Sequence, residues 1–69
     1  MQKQKIDYAK ARFMSEAERT ITTTKPELKG RFTALHIWED LDYLRVYKHM
    51  TAQQAAEVIL KTDYSTVQS

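Results

Sequence analysis

The chain has 69 residues, a net charge of +2 and no cysteine. A chain this short forms one domain at most and buries only about 60% of the surface that its unfolded form exposes. The lack of cysteine excludes disulfide bonds and the commonest structural zinc sites, so we expect a second copy or another partner to supply additional stability.

The distribution of apolar residues predicts a folded cytoplasmic protein. No stretch approaches the roughly 20 apolar residues that span a bilayer, and the amino end, residues 1–5, is polar. One Gly and one Pro are too few for a linker or a low-complexity chain.

Charge is divided unevenly between the two halves. Residues 1–34 contain eight Lys or Arg and four Asp or Glu, whereas residues 35–69 contain three and five. A bound polyanion would therefore favour contact with the amino-terminal half.

The first predicted element is an amphipathic helix from about Lys3 to Thr20. The run from Thr20 to Thr24 is entirely β-branched, which lowers helix propensity and predicts a helix end near Thr20. A strand over this run is the alternative, although the chain offers it no pairing partner. The apolar residues at helical spacing are Ile6, Ala9, Phe13, Met14 and Ala17.

A short helical turn and a second long helix follow. Pro26 stands where the first turn of a helix tolerates it, and Gly30 ends this turn soon after Lys29. Thr33 is placed to cap a helix from Ala34 to about His49. Its apolar face is wide, which predicts that this helix lies at the centre of the fold and is contacted from two sides.

The third helix is predicted from a capping box. Thr51 and Gln54 have the T-x-x-Q spacing, and the apolar positions that follow continue at helical spacing. Tyr64 would begin a last short element. The fold expected is a single all-α domain over residues 1–69, a bundle of three main helices with a helix-turn-helix-like arrangement between residues 35 and 67.

The stretch from Trp38 to Ser69 resembles the tri-helical helix-turn-helix family of phage and bacterial regulators, including its Myb-like members. The resemblance rests on Thr51 as a helix cap, the small Ala56, and a polar turn leading to Thr66 and Val67. It implies a regulator of transcription or of DNA transactions, and the small size of the chain predicts that it acts as a dimer. A helix-turn-helix shape used for packing or for protein contact is an equal alternative.

If DNA is the ligand, the basic residues would contact phosphates and polar residues near the expected recognition helix would contact base edges. The phosphate candidates are Lys3, Lys5, Lys10, Arg12, Lys25, Lys29 and Arg31. The base-edge candidates are Gln53, Tyr64, Ser65, Thr66 and Gln68.

The alternative function is a protein-binding adaptor or inhibitor, for example of a polymerase, a nuclease or a repressor. Tyr43 and Tyr47 lie one helical turn apart, and aromatic side chains are enriched at the centres of interfaces. The acidic residues beside them, which would suit a basic partner or the basic first helix of a second copy, are Glu39, Asp40 and Asp42.

No set of residues indicates catalysis or a bound metal. His36, Glu39 and Asp40 share one side of a helix, but His49 would lie about 20 Å further along it. The sequence has no Gly-rich phosphate loop and no set of Ser, His and Asp at a spacing that suggests a triad. We therefore expect a non-enzymatic protein without a cofactor.

Overall fold

The computed structural model describes residues 7–64, which form three α-helices and no strand within that range. The helices are α1 (Tyr8–Thr24), α2 (Ile37–Tyr47) and α3 (Ala52–Lys61), and a short 3-10 helix (Pro26–Leu28) follows α1. The prediction of an all-α bundle of three main helices is confirmed.

Helix α1 runs past its predicted end. Asp7 caps its first turn, because Oδ1 of Asp7 accepts a hydrogen bond of 3.0 Å from the Lys10 amide. The predicted end at Thr20 was wrong, since Ile21 is completely buried and packing of its side chain outweighs the small helix penalty of the β-branched run. The hydroxyl of Thr22 donates to the Glu18 carbonyl, so it too is accommodated in the helix.

Helix α2 begins at Ile37, and the predicted start at Ala34 was wrong. His36 adopts the left-handed conformation at φ 60°, so the backbone is not a continuous helix from Leu35 to Ile37. Two residues separated by two positions lie about 200° apart around a helix, so a continuous helix could not bury both. The interruption at His36 allows the side chains of Leu35 and Ile37 to enter the same core.

The turn between α2 and α3 ends in the predicted capping box. His49 has φ 53°, and the Met50 amide donates to the Leu44 carbonyl at 3.2 Å. The Gln54 amide donates to Oγ1 of Thr51 at 3.2 Å, and the Thr51 amide donates to Oε1 of Gln54 at 3.0 Å. These two reciprocal bonds start α3 at Ala52.

Helix α3, rather than α2, is the central element. It packs most extensively against α1 and next against α2, while α1 and α2 touch each other little. Ala55 and Ala56 are completely buried, and their small side chains let the neighbouring helices approach α3 closely. The prediction that α2 lies at the centre was wrong because only part of its wide apolar face is buried.

Candidate functional site

Three large apolar side chains are exposed together on α2. Tyr43, Val46 and Tyr47 are 50%, 43% and 69% exposed, and we call them the tyrosine face. The two tyrosine rings lie against each other, with centroids 5.3 Å apart and planes inclined by 35°. The two rings thus form one connected aromatic surface.

The spacing of α2 explains why this surface faces outward. Ile37, Leu41 and Leu44 follow the helical period and fill the core, so one side of α2 is completely used. Each residue turns the helix by about 100°. The positions of Tyr43 and Tyr47 therefore lie on a different side of α2 from the three core residues and face away from the bundle. The wide apolar face predicted for α2 is therefore divided between the core and the surface.

The acidic residues beside the tyrosine face differ in how far they are engaged. Oδ2 of Asp40 accepts a hydrogen bond of 2.9 Å from the Tyr64 hydroxyl. Asp42 pairs with Arg45 at 3.2 Å and with Lys10 at 3.8 Å. The Glu39 side chain is 77% exposed and approaches only the imidazole of His36, at 3.3 Å, within the described residues.

A shallow groove of about 430 Å³ lies where the first half of α1 meets the start of α2. Met14 and Trp38 supply its apolar lining, and its charged residues are Lys10, Glu39 and Asp42. The Trp38 ring packs on Phe32, with centroids 4.8 Å apart. Trp38 lies about 140° around α2 from Tyr43, so the groove and the tyrosine face are on different sides of the helix, with Glu39 between them.

Two of the predicted phosphate contacts are engaged within the fold. Lys10 pairs with Asp42, and Nζ of Lys25 donates a hydrogen bond of 2.9 Å to the Leu60 carbonyl at the end of α3. The remaining described candidates, which are exposed, are Arg12, Lys29, Arg31 and the base-edge candidate Gln53. Lys3, Lys5, Ser65, Thr66 and Gln68 lie outside the described residues.

Tyr64, a base-edge candidate, lies in the core with 8% of its surface exposed. Burial, together with the hydrogen bond to the Asp40 carboxylate, raises the pKa of Tyr64 well above its usual value of 10.0. A second depression of about 280 Å³ lies beside it and brings Lys25 and Arg31 close to Glu27 and Asp63. The charges there are mixed, so the depression does not select anions.

The described residues contain equal numbers of opposite charges, nine Lys or Arg and nine Asp or Glu. No group of three or more His, Asp or Glu within residues 7–64 is arranged to hold a metal ion. Over the same residues, no helix combines the length and the apolar character needed to cross a membrane.

Comparison with known proteins adds no relative. No protein-family model matches the chain, and no curated protein or solved structure matches it significantly. The surface chemistry of the described residues is therefore the basis for a functional proposal.

Sequence reasoning identified Tyr43 and Tyr47 but missed two parts of this surface. Val46 completes the tyrosine face, and its place three residues after Tyr43 could have been recognised from helical spacing. The groove has no comparable sequence signal, because Met14 and Trp38 come from different helices and meet only through the packing of α1 against α2.

Proposed function

We propose that this protein is a non-enzymatic adaptor that binds another protein through the tyrosine face and the adjoining groove. The observation that supports the proposal is the concentration of exposed apolar side chains on α2. Within residues 7–64, the only other large hydrophobic side chain of comparable exposure is Tyr8, on α1. Three exposed apolar side chains on neighbouring turns of one helix are typical of a binding surface, whereas single ones are ordinary.

The chemistry of the tyrosine face suits protein recognition. A tyrosine supplies a large apolar area together with a polar hydroxyl, and fixing its two side-chain torsions costs little entropy. Tyrosine is among the residues that contribute most to binding energy at the centres of interfaces. Glu39 and Lys10 border the apolar lining of the groove, and charged residues beside an apolar centre are usual for such a surface.

Photo-crosslinking tests this proposal directly. A photoreactive phenylalanine analogue at position 47 is introduced in the cells that naturally make the protein, and the matched control carries it at Gln53, an exposed position on α3. We expect a discrete crosslinked protein from position 47 that is absent from position 53. The crosslink should disappear when Tyr43 is also changed to alanine. Equal crosslinking at both positions, or none at position 47, would overturn the proposal.

A DNA-binding regulator is the second candidate function. It is favoured by the order of α2, a short turn and the capped helix α3, which is compatible with the resemblance to helix-turn-helix regulators. Arg12, Lys29 and Arg31 are exposed and available for phosphate contacts. Against it stand the balanced charge of residues 7–64 and the engagement of Lys10 and Lys25 within the fold.

A titration against random duplex DNA separates the two candidates. Binding measured by fluorescence anisotropy at about 50 mM and about 200 mM salt should weaken steeply if several phosphates are contacted. In that case, changing Arg12 and Lys29 to glutamine should flatten the salt dependence. An absence of binding at the lower salt concentration would remove the DNA function.

A further inference from the structure

The tyrosine face is continued by a carboxylate. Glu39, Tyr43 and Tyr47 are spaced four residues apart, so they lie along one side of α2 as a stripe of one carboxylate and two aromatic rings. The rings of Tyr43 and Tyr47 are in contact, and Glu39 lies one turn before them. We call these three residues the α2 stripe.

All three acidic residues of α2 keep some exposure, and Glu39 is the one held by the weakest contact within the described residues. Asp40 accepts a hydrogen bond from Tyr64, and Asp42 is shared between Lys10 and Arg45. Glu39 is more exposed than the His36 side chain that it approaches, and an exposed pair of this kind contributes little. The carboxylate can therefore exchange this contact for a stronger one.

We infer that the partner of this surface presents an arginine beside a large apolar side chain. The inference rests on the proposed function, because it specifies the partner of the same surface. The arginine side chain would lie over the ring of Tyr43 and donate hydrogen bonds to Glu39. The apolar side chain would enter the groove lined by Met14 and Trp38.

The α2 stripe matches arginine in both shape and charge. A guanidinium is planar, stacks on aromatic rings and donates two parallel hydrogen bonds to a carboxylate, which the compact ammonium of lysine cannot do. A cation above a tyrosine ring is also attracted by the electrons of the ring. Glu39 at one end of the two rings thus provides charge complementarity for an arginine-bearing segment and disfavours an acidic one.

Selection from a random peptide library tests the partner chemistry and does not require the natural partner to be identified. The library is selected on the wild-type protein after peptides that bind the Tyr43→Ala/Tyr47→Ala variant have been removed. We expect the enriched peptides to contain arginine next to Leu, Ile, Met or Phe. The enriched peptides are then synthesised with the arginine replaced by glutamine, and their binding is measured by fluorescence anisotropy.

Point variants test whether Glu39 contacts the arginine of the peptide. Glu39→Gln should weaken binding of the arginine peptide about tenfold and leave binding of its glutamine counterpart unchanged. Glu57→Gln, on the exposed side of α3, and Tyr8→Ala, on α1, are the matched controls and should have no effect. Circular dichroism of each variant verifies that the helices are retained.

The other outcomes overturn the inference in distinguishable ways. Enriched peptides that depend on the tyrosine face but lack arginine would overturn it and leave the proposed function standing. If no peptide depends on the tyrosine face, the inference fails, and the crosslinking at position 47 judges the proposed function separately. A concentration-dependent dimer in sedimentation equilibrium that Tyr43→Ala/Tyr47→Ala dissociates would show that a second copy occupies the surface.

Discussion

The hydroxyl of Tyr64 donates a hydrogen bond of 2.9 Å to Oδ2 of Asp40, which joins the segment after α3 to the first turn of α2. Tyr64 is buried apart from 8% of its surface, so the ring also contributes to the core. The contact uses one oxygen of the Asp40 carboxylate, and Asp40 itself remains exposed. The contact also ties the end of the described chain to the helix that carries the tyrosine face.

Removing the Tyr64 hydroxyl should destabilise the fold modestly. Tyr64→Phe keeps the buried ring and loses only the bond to Asp40, so we expect the free energy of unfolding to fall by about 1 kcal/mol. Tyr64→Ala also removes the ring and should cost about 3 kcal/mol. Urea unfolding followed by circular dichroism measures both values. An equal loss of unfolding free energy in the two variants would mean that the Tyr64 ring contributes nothing to stability.

Stability at alkaline pH should depend on the same hydroxyl. The pKa of Tyr64 is raised above 10.0 in the folded protein, mainly by burial and then by the neighbouring Asp40 carboxylate. Above pH 10 the unfolded chain therefore releases this proton while the folded chain keeps it, and stability is lost as the pH rises. The advantage of wild type over Tyr64→Phe should shrink when unfolding is measured from pH 9 to about pH 11. A constant difference over that range would contradict the shift.

Local sequence signals predicted the parts of the fold that depend on neighbouring residues. The capping box of Thr51 and Gln54 requires only a spacing of three residues, and it starts α3 at the expected position. The starts and ends that depend on packing were predicted less well. Burial of Ile21 extends α1, and the shared burial of Leu35 and Ile37 sets the start of α2. Neither boundary follows from the helix propensity of the residues.

The ammonium group of Lys25 should stabilise the end of α3. Its Nζ donates a hydrogen bond of 2.9 Å to the Leu60 carbonyl, one of the last carbonyls of the helix, which lack a partner within it. Lys25→Met keeps the apolar part of the side chain and should lower the free energy of unfolding by about 1 kcal/mol. Lys29→Met, at an exposed position, is the control and should change stability by less than about 0.5 kcal/mol. Chemical denaturation of both variants checks the difference, and equal effects would contradict a specific role for Lys25.

Stability should fall when the glycine of one positive-φ turn is replaced by alanine, and rise when the histidine of another is replaced by glycine. Gly30 has φ 80° and His36 has φ 60°, a region where a side chain costs about 1 kcal/mol or more. Gly30→Ala should therefore destabilise the protein, by about 1 kcal/mol, although no atom lies within 4 Å of the added methyl group. His36→Gly should stabilise it by about 0.5 kcal/mol, because relief of backbone strain exceeds the entropy cost of glycine. Thermal unfolding of the two variants tests the signs, and a destabilised His36→Gly would mean that the imidazole contributes more than the strain costs.

The candidate site was predictable from sequence only where it lies on one helix. Tyr43 and Tyr47 are separated by four residues, so their proximity follows from helical geometry alone. The partners of the acidic residues come from other elements, since Asp40 meets Tyr64 and Asp42 meets Lys10. For that reason the sequence could not show that Asp40 and Asp42 are tied to other elements, while Glu39 has only an exposed contact with His36.

Loss of the tyrosine face should separate binding from stability. Both rings of Tyr43 and Tyr47 are at least half exposed, and alanine is the best helix former, so Tyr43→Ala/Tyr47→Ala should change the free energy of unfolding by less than about 1 kcal/mol. Leu41→Ala, at a completely buried position of the same helix, is the matched control and should cost about 3 kcal/mol. The denaturation curves are set beside crosslinking from position 46, which is exposed and lies three residues after Tyr43. If the double variant unfolds as readily as Leu41→Ala, the two rings support the fold, and their exposure is no indication of a partner.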